Sequence, residues 1–274
     1  MARSPCSRSA AEPGHQALDP PDPPHIAVRT TIIRPTSSRR RRTAAAYVPS
    51  GQRPDPDTEP TQVGPAGGHT GPMDTLFHAG DGFEVHKVVV GPMDNNVYVL
   101  RCTDTGDAVL IDAANEHDRL LDLCRSLGVR SVLETHGHWD HIQAVPELRD
   151  AGYDIHVTAE DAGMLPTYDQ ILEDDAVVPV GRLRLRTILT PGHTPGSLCF
   201  LYEGAPVLFS GDTLFPGGPG NTSFEGGDFP TVIQSIESKL FTLPADTMVL
   251  PGHGDDTTIG TERPHLQEWI DRGW

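Results

Sequence analysis

The segment THGHWDH concentrates three imidazoles and one carboxylate in six positions, at His136, His138, Asp140 and His141. Two neutral imidazoles at positions i and i+2 of an extended stretch point to the same side, so the first two histidines can bind one metal ion. Asp140 and His141 follow where the chain turns, and they are placed to bind a second ion nearby. A lone histidine is more often an ordinary surface or core residue, but this spacing predicts half of the ligands of two cations.

Three later segments, each flanked by glycine, offer the remaining ligands. His193 lies in TPGHTPGS, Asp212 in FSGDTLF and His253 in VLPGHGDD, and each follows a strand-like run. Glycine lets the backbone turn sharply, so these loops can converge. We expect His193 to complete the first shell, His253 to complete the second and Asp212 to bridge both ions.

The chemical types of these side chains limit which metal ions can bind. Imidazoles and carboxylates without a thiolate suit Zn²⁺, Fe or Mn²⁺, with zinc the leading expectation. Two such ions lie about 3.5–4 Å apart and trap a bridging hydroxide, because they lower the pKa of water towards about 7. The cluster therefore predicts two divalent metal ions and a metal-activated water.

The elements that must position these residues are short β-patterned runs with helices after them. Two runs of strands, each followed by helices, indicate two packed sheets with helices outside, an α/β (α+β) four-layer αββα sandwich. Helical spacing predicts helices in NEHDRLLDLCRSLG, over residues 142 to 151 and in FPTVIQSIESKLFTL. The expected strands include VHKVVV, NVYVLRC, DAVLID, VRSVLETH and DIHVTA in the first half, and LRLRTILT, SLCFLYE, PVLFSGD and TMVLPGH in the second.

Residues 1 to 72 differ in composition from the remainder. They hold 13 of the 26 prolines, one aromatic residue, nine arginines and six acids, a net charge of 9 − 6 = +3. So few apolar groups cannot offset an ordering entropy of about 1–2 kcal/mol per residue, which predicts a disordered segment. Met73 directly precedes the patterned part, which also fits a start codon assigned too far upstream. Residues 73 to 274 are expected to form one domain.

The charge of that domain argues against a polyanionic partner. It holds 21 − 9 = 12 basic and 38 − 6 = 32 acidic residues, a net charge of −20, whereas phosphate contacts need clustered Lys and Arg. We expect no nucleic-acid partner and, since no apolar run reaches 18 residues, no membrane span. Cys6, Cys102, Cys124 and Cys199 show no paired spacing, which is typical of free thiols in the cytoplasm.

The motifs THGHWDH, PGHTPGS, SGDTLF and PGHG, in this order, resemble those of the metallo-β-lactamase superfamily. Within it the chain is most similar to single-domain members of the glyoxalase II (hydroxyacylglutathione hydrolase) branch, over about residues 83 to 259. The resemblance implies the αββα fold and a dinuclear site with the ligand sets given above. It also implies that Asp112, which ends VLID, supports the metal-binding loops from behind.

The chain departs from glyoxalase II in two places. Only 274 − 253 = 21 residues follow His253 in this sequence, with Arg263 and Arg272 as the cationic ones, so we expect no counterpart of the C-terminal helical domain that binds glutathione in that family. The basic loop of that family is replaced by PGGPGNTSFEGGDF, which contains no arginine. We expect this glycine-rich stretch to form part of the substrate rim, with Phe215, Asn221 and Phe224 as candidate contacts.

The leading interpretation is a dinuclear hydrolase whose metal-bridging hydroxide cleaves a small acyl thioester or ester. Asp140 is expected to act in catalysis by orienting the nucleophile and passing on its proton. A mononuclear-iron persulfide dioxygenase that uses His136, His193 and Asp212 is the alternative in another reaction class. A lactonase would differ only in substrate, and an inactive metal-binding scaffold would use the Arg/Pro-rich segment for docking. The sequence leaves the oligomeric state open.

Overall fold

The computed structural model describes residues 75–273. The predictions for residues 1 to 72 lie outside the described residues and stay predictions. Among the described residues, no helix is long and apolar enough to cross a membrane.

Fifteen strands, five α-helices and three short 3₁₀ turns make up the described part of the chain. The strands are β1 (Leu76–Gly80), β2 (Phe83–Val90), β3 (Asn95–Cys102), β4 (Ala108–Ile111), β5 (Val129–Leu133), β6 (Asp154–Thr158), β7 (Gln170–Leu172), β8 (Val177–Val180), β9 (Leu183–Leu189), β10 (Leu198–Tyr202), β11 (Val207–Gly211), β12 (Leu214–Phe215), β13 (Gly218–Pro219), β14 (Met248–Pro251) and β15 (Thr257–Thr258). The helices are α1 (His117–Leu127), α2 (Val145–Asp150), α3 (Phe229–Ser238), α4 (Ile259–Glu262) and α5 (Leu266–Arg272), and the 3₁₀ turns are Ala162–Met164, Leu240–Thr242 and Arg263–His265.

The strands form two large sheets and one small hairpin. The first sheet has the order β1-β2-β3-β4-β5-β6-β7, and the second has the order β15-β14-β11-β10-β9-β8. In the first sheet β4, β5, β6 and β7 pair in parallel, whereas the pairs from β1 to β4 are antiparallel. In the second sheet only the β11–β14 pair is parallel.

Alternating side chains on buried strands divide the apolar core into three layers. Along β3, Val97 and Val99 pack with residues of α1 and α2, whereas Tyr98 and Leu100 face the second sheet. This alternation follows from the two-residue period of a strand, which here buries both faces. The third layer packs the opposite face of the second sheet against α3 and α5. Helices therefore cover both outer faces, and the predicted αββα sandwich is confirmed.

The pairing brings the carboxyl ends of strands from both sheets to one edge. β4 and β5 are parallel, so Asp112 and the segment that begins at Glu134 leave the first sheet side by side. β11 and β14 are also parallel, so Asp212 and the loop that carries His253 leave the second sheet together. The sheets are joined at this edge by a hydrogen bond from Asn96 N to Gly252 O (2.7 Å).

Some predicted boundaries were wrong. The helix expected over residues 142 to 151 begins at Val145, because Gln143 N and Ala144 N donate to the carbonyls of Ala114 and Ala113 and are thus held by the loop after β4. Pro146, whose φ suits the first turn of a helix, follows directly. The helix expected over FPTVIQSIESKLFTL ends at Ser238, and a 3₁₀ turn continues the chain.

We predict that Trp269→Ala lowers the free energy of unfolding by about 3–5 kcal/mol, because it would open a cavity where α5 packs on the second sheet. Trp269 is 1% exposed, and its ring lies 6.0 Å from that of Phe241. Ile270→Ala on the same helix is the control, since Ile270 is 42% exposed, and it should change stability by less than about 0.5 kcal/mol. Urea unfolding followed by circular dichroism measures both variants. Equal losses would show that α5 is not packed as described.

Candidate metal centre

The first group of the candidate centre consists of His136, His138 and His193. His193 Nε2 lies 2.9 Å from His138 Nδ1 and 3.3 Å from His136 Nε2, so three imidazole nitrogens point at one position. The chain between His136 and His138 is free of turns, as expected for an i, i+2 pair. The structure thus brings together the three side chains predicted for the first ion.

The second group consists of Asp140, His141 and His253. A turn in which His141 N donates to His138 O (3.0 Å) reverses the chain after the first group. This turn places His141 Nε2 3.2 Å from His253 Nε2, while Asp140 Oδ2 lies 3.3 Å from that same His253 atom. The three side chains predicted for the second ion therefore also meet.

Asp212 lies between the two groups. Its Oδ1 is 3.5 Å from His141 Nε2, and its Oδ2 is 3.6 Å from both His193 Nε2 and His253 Nε2. Oδ1 is buried and has no hydrogen-bond partner among the described residues. A buried carboxylate oxygen without a partner costs free energy, and a cation in contact with it would remove that cost.

Four of the imidazoles are oriented by hydrogen bonds from Nδ1. Because a carbonyl oxygen only accepts, His193 Nδ1 must donate to Asn221 O (2.7 Å) and His253 Nδ1 to Met93 O (3.0 Å). His141 Nδ1 donates to the Asp112 carboxylate (2.8 Å) in the same way. Each bond fixes the tautomer that leaves Nε2 without a hydrogen.

Asp112 orients the fourth imidazole through a threonine. Thr135 Oγ1 donates its only hydrogen to Asp112 Oδ2 (2.9 Å), so at 3.0 Å the same oxygen must accept from His136 Nδ1. Thr135 N donates to Asp112 Oδ1 (2.7 Å) as well. The structure thus places Asp112 directly behind the loop that carries both groups, the position that the family resemblance implies for it. Burial and the adjacent Asp112 charge raise the pKa of the neighbouring Glu134 well above its usual range.

These hydrogen bonds leave unshared electron pairs facing each other. When the rings are neutral, none of these Nε2 atoms carries a hydrogen of its own, although His136 Nε2 and His193 Nε2 are 3.3 Å apart and His141 Nε2 and His253 Nε2 are 3.2 Å apart. His138 Nδ1 (2.9 Å from His193 Nε2) and Asn95 Nδ2 (3.4 Å from His253 Nε2) are the neighbours placed to donate to them. Two acceptors at such a distance repel each other unless positive charge lies between them. The residues present therefore fit divalent cations, because neutral imidazole and carboxylate are the ligands that Zn²⁺ and iron share.

The electrostatics of the two groups differ. Burial lowers the pKa of His138 to about 4, and burial together with nearby imidazoles holds the pKa of His136 well below its usual range. Burial opposes charge on His141 too, but the carboxylates of Asp212 and Asp112 outweigh burial and raise the pKa of His141 well above its usual range. The first group stays neutral, as metal binding requires, and the second attracts positive charge from a proton or a metal ion.

Two supporting residues escaped the sequence analysis. Buried Asp161 accepts from Gly137 N (2.9 Å), Thr194 Oγ1 (2.7 Å) and Gly196 N (2.8 Å), and so ties together the two loops that form the first group. Like the acids after β4 and β11, it follows closely after a strand, β6, and this shared position is a signal that could have found it. Asn95 donates from Nδ2 to Asp140 Oδ2 (3.1 Å), a contact that nothing in its local sequence indicates.

A cavity of about 480 Å³ opens over the two groups. Its volume lies in the range of small-molecule sites, roughly 300–1,000 Å³. All three residues predicted for the substrate rim, Phe215, Asn221 and Phe224, line it, and the Phe224 ring lies 5.5 Å from that of His138. The hairpin β12–β13 shapes the first part of the glycine-rich stretch. Contact with substrate stays a prediction for these three residues.

Sequence comparisons identify relatives of this chain. The family model for the metallo-beta-lactamase superfamily matches residues 90–253. The probable metallo-hydrolase YqgX of Bacillus subtilis is 34% identical over 199 residues, which cover 65% of this chain and 93% of that protein. The hydroxyacylglutathione hydrolase GloC of Haemophilus influenzae is 34% identical over 182 residues, which cover 58% of this chain and 86% of that protein.

Solved structures show the same similarity. The crystal structure of BLEG-1 B3 metallo-beta-lactamase aligns with a TM-score of 0.63 at 31% identity, over 66% of this chain and 97% of that chain. The crystal structure of TTHA1623 in a di-iron-bound form aligns with a TM-score of 0.59 at 30% identity, over 65% of this chain and 96% of that chain.

We predict that Gly252→Ala weakens metal binding by at least about tenfold, comparable to the loss of an outer-shell partner. A Cβ at this position would lie 2.3 Å from Asp212 Oδ1 and 2.7 Å from His141 Cε1. The backbone cannot retreat easily, since Gly252 N donates to Gly211 O and its carbonyl accepts from Asn96 N. The measurement is a competition titration of the bound metal against a chelator.

Gly163→Ala is the matched control for this substitution. A Cβ at Gly163 would meet no atom within 4 Å, and its backbone does not require glycine. The control should bind metal like the unsubstituted protein. An alanine at position 252 that left the chelator competition unchanged would contradict the described packing of Asp212.

Proposed function

Since the chain belongs to the metallo-β-lactamase superfamily, we propose that it is a dinuclear metal-dependent hydrolase that cleaves a small acyl thioester or ester. The observation that carries the proposal is the convergence of imidazole Nε2 atoms whose tautomers are fixed by Nδ1 hydrogen bonds. Such an arrangement is unfavourable for neutral rings unless a proton or a metal ion lies between the nitrogens, and the ligand types suit a metal ion. Similarity to a hydroxyacylglutathione hydrolase supports the thioester.

In this proposal the first group holds one ion, the second group holds the other and Asp212 contacts both. Zinc is the leading candidate, with iron or manganese as alternatives that suit the same ligands. When bound, two such ions supply a water of lowered pKa and polarise a carbonyl oxygen. The similar di-iron structure of TTHA1623 supports two ions and keeps iron open as their identity.

The protein's own groups orient the reactants and handle the protons. Burial opposes the charge on Asp140, but without a metal ion a protonated His253 donates to it, and the charge of a protonated His141 and a hydrogen bond from Asn95 add to this effect and hold the pKa of Asp140 well below its usual range. Asp140 is therefore ionised at neutral pH and suits the role of a ligand that orients water. In the overall reaction water adds to the acyl carbon, the C–S bond breaks, and the products are a carboxylate, a thiol and one proton.

Two phenylalanine side chains of the cavity would reduce the access of bulk water to the C–S or C–O bond that is cleaved. The Phe224 ring stands against His138, and Phe215 lines the same cavity from the hairpin. Excluding bulk water strengthens the electrostatic interactions inside a site. We propose that Phe215 and Phe224 hold the acyl group or leaving group over the two metal positions, together with Asn221.

We predict that the purified full chain binds about two divalent ions and that His141→Ala lowers this number to about one, since the first group keeps its ligands. Plasma mass spectrometry measures the number and identity of the ions. His117→Gln is the control, because His117 lies at the start of α1 with a half-exposed side chain outside the candidate centre. A single iron per chain, with the second group playing no part, would instead support the dioxygenase.

We also predict that the metal-loaded protein hydrolyses acyl thioesters and that Asp212→Asn lowers kcat/KM by at least about 100-fold, because misplacing reacting groups by about 1 Å can cost that much. Release of free thiol, followed with a chromogenic disulfide, measures the rate. Removal of the metal by a chelator should abolish activity, and added Zn²⁺ should restore it. A protein with full metal content that cleaves none of a panel of thioesters, esters and lactones would refute the proposed function.

A further inference from the structure

Large apolar side chains are concentrated around the mouth of the cavity. The described residues expose ten large hydrophobic side chains, and four of them line this cavity: Met93 (52% exposed), Trp139 (60%), Met164 (41%) and Phe224 (57%). Exposed apolar side chains scattered singly need no explanation, but a cluster around a cavity marks a binding surface. This cluster, called the apolar rim below, is exposed where a ligand would enter.

The apolar rim lies directly against the residues proposed to bind metal. Phe224 packs edge-on against the His138 ring. Met164 covers Gly137, since a Cβ on that glycine would lie 2.7 Å from Met164 Cβ. Met93 holds His253 through its carbonyl. A substrate whose acyl carbon lies over the two groups would therefore have apolar side chains beside it.

The charges of the cavity are all negative apart from the imidazoles. Its lining contains no Lys or Arg, and its acids are Asp140, Asp212 and Glu225. Metal binding would neutralise the first two, whereas Glu225 is exposed on the glycine-rich stretch at the rim. Arg272 lines a smaller adjoining cavity of about 250 Å³ rather than this one. The net charge of −20 over residues 73 to 274 adds to the repulsion of anions from a distance.

We propose that the substrate is an uncharged, apolar thioester or ester, selected by the apolar rim and by Glu225, and that glutathione thioesters are poor substrates. This inference rests on the proposed function, which supplies the reaction, and adds the class of molecule. Glutathione carries two carboxylates and one ammonium group, and the described lining offers those carboxylates no cationic side chain. A carboxylate that loses water without gaining a partner is bound weakly.

A binding measurement on the full chain tests the class of molecule independently of turnover. S-benzyl-N-acetylcysteamine and S-benzylglutathione carry the same apolar group on an uncharged and on a net negative thiol carrier, and neither can be hydrolysed as a thioester. Titration calorimetry on the metal-loaded protein should give a dissociation constant at least about tenfold lower for the uncharged ligand. Equal binding, or tighter binding of the glutathione ligand, would overturn the inference.

Substitutions at the cavity mouth separate the contribution of the Glu225 charge from that of the apolar rim. Glu225→Lys should strengthen binding of S-benzylglutathione by about threefold to tenfold at low salt, as expected for one exposed charge, and this gain should fade at high salt. Glu237→Lys makes the same change of charge on the exposed face of α3, outside the cavity, and should leave the ratio of the two affinities unchanged. An equal effect of both substitutions would assign the selectivity to net charge and remove the role of Glu225.

Trp139→Ala should weaken both benzyl ligands by about tenfold or more, because it removes a large apolar contact. Leu76→Ala, which shortens an exposed apolar side chain on β1, is its control.

Turnover is measured separately, by comparing the hydrolysis rates of two thioesters that carry the same acyl group, one on N-acetylcysteamine and one on glutathione. Hydrolysis of neither would count against thioester hydrolysis but not against the binding preference, and faster hydrolysis of the glutathione thioester would refute the preference but not the hydrolase.

Discussion

The candidate centre depends on one constraint, the mutual repulsion of imidazole Nε2 lone pairs that the fold forces together. Four histidines donate from Nδ1 to an oxygen. The acceptors are Asn221 O for His193, Met93 O for His253, the Asp112 carboxylate for His141 and the Thr135 hydroxyl for His136. Each of these bonds satisfies a buried N–H, but in the neutral rings it leaves an Nε2 acceptor close to the Nε2 atom of another histidine. With cations between them, the same hydrogen bonds become the means by which the protein presets the ligand geometry.

The two packed sheets supply the stability that offsets this repulsion. Each ligand loop leaves the carboxyl end of a strand, so a buried apolar core lies directly behind the cluster and fixes the loop ends. Asp112 and Asp161 then tie neighbouring loops to each other through buried carboxylates. Because these carboxylates bind backbone and side-chain donors at once, they hold loops that contain few apolar groups of their own.

The sequence predicted the candidate ligands because four of the residues, His136, His193, Asp212 and His253, lie beside a glycine and follow a clearly patterned strand, while Asp140 and His141 follow His136 and His138 in one dense segment. It also predicted the layered fold, since two-residue alternation in segments such as NVYVLRC is a local property. It did not indicate short strands such as β7 and β8, which have few residues in which to show a period. Asp161 and Asn95 act through partners distant in the chain, and only the folded structure identifies these partners.

The apolar side chains of the cavity belong to residues that neighbour the candidate ligands in the chain or in space but are not candidate ligands themselves. Trp139 occupies the position between His138 and Asp140, so the turn that aims the ligands also presents an indole ring to the cavity. In the proposed function, the metal-binding groups set the reaction and the apolar rim sets the substrate. A shared metal centre therefore does not imply a shared substrate, and similarity to a glutathione thioester hydrolase supports the reaction more strongly than it supports the thiol.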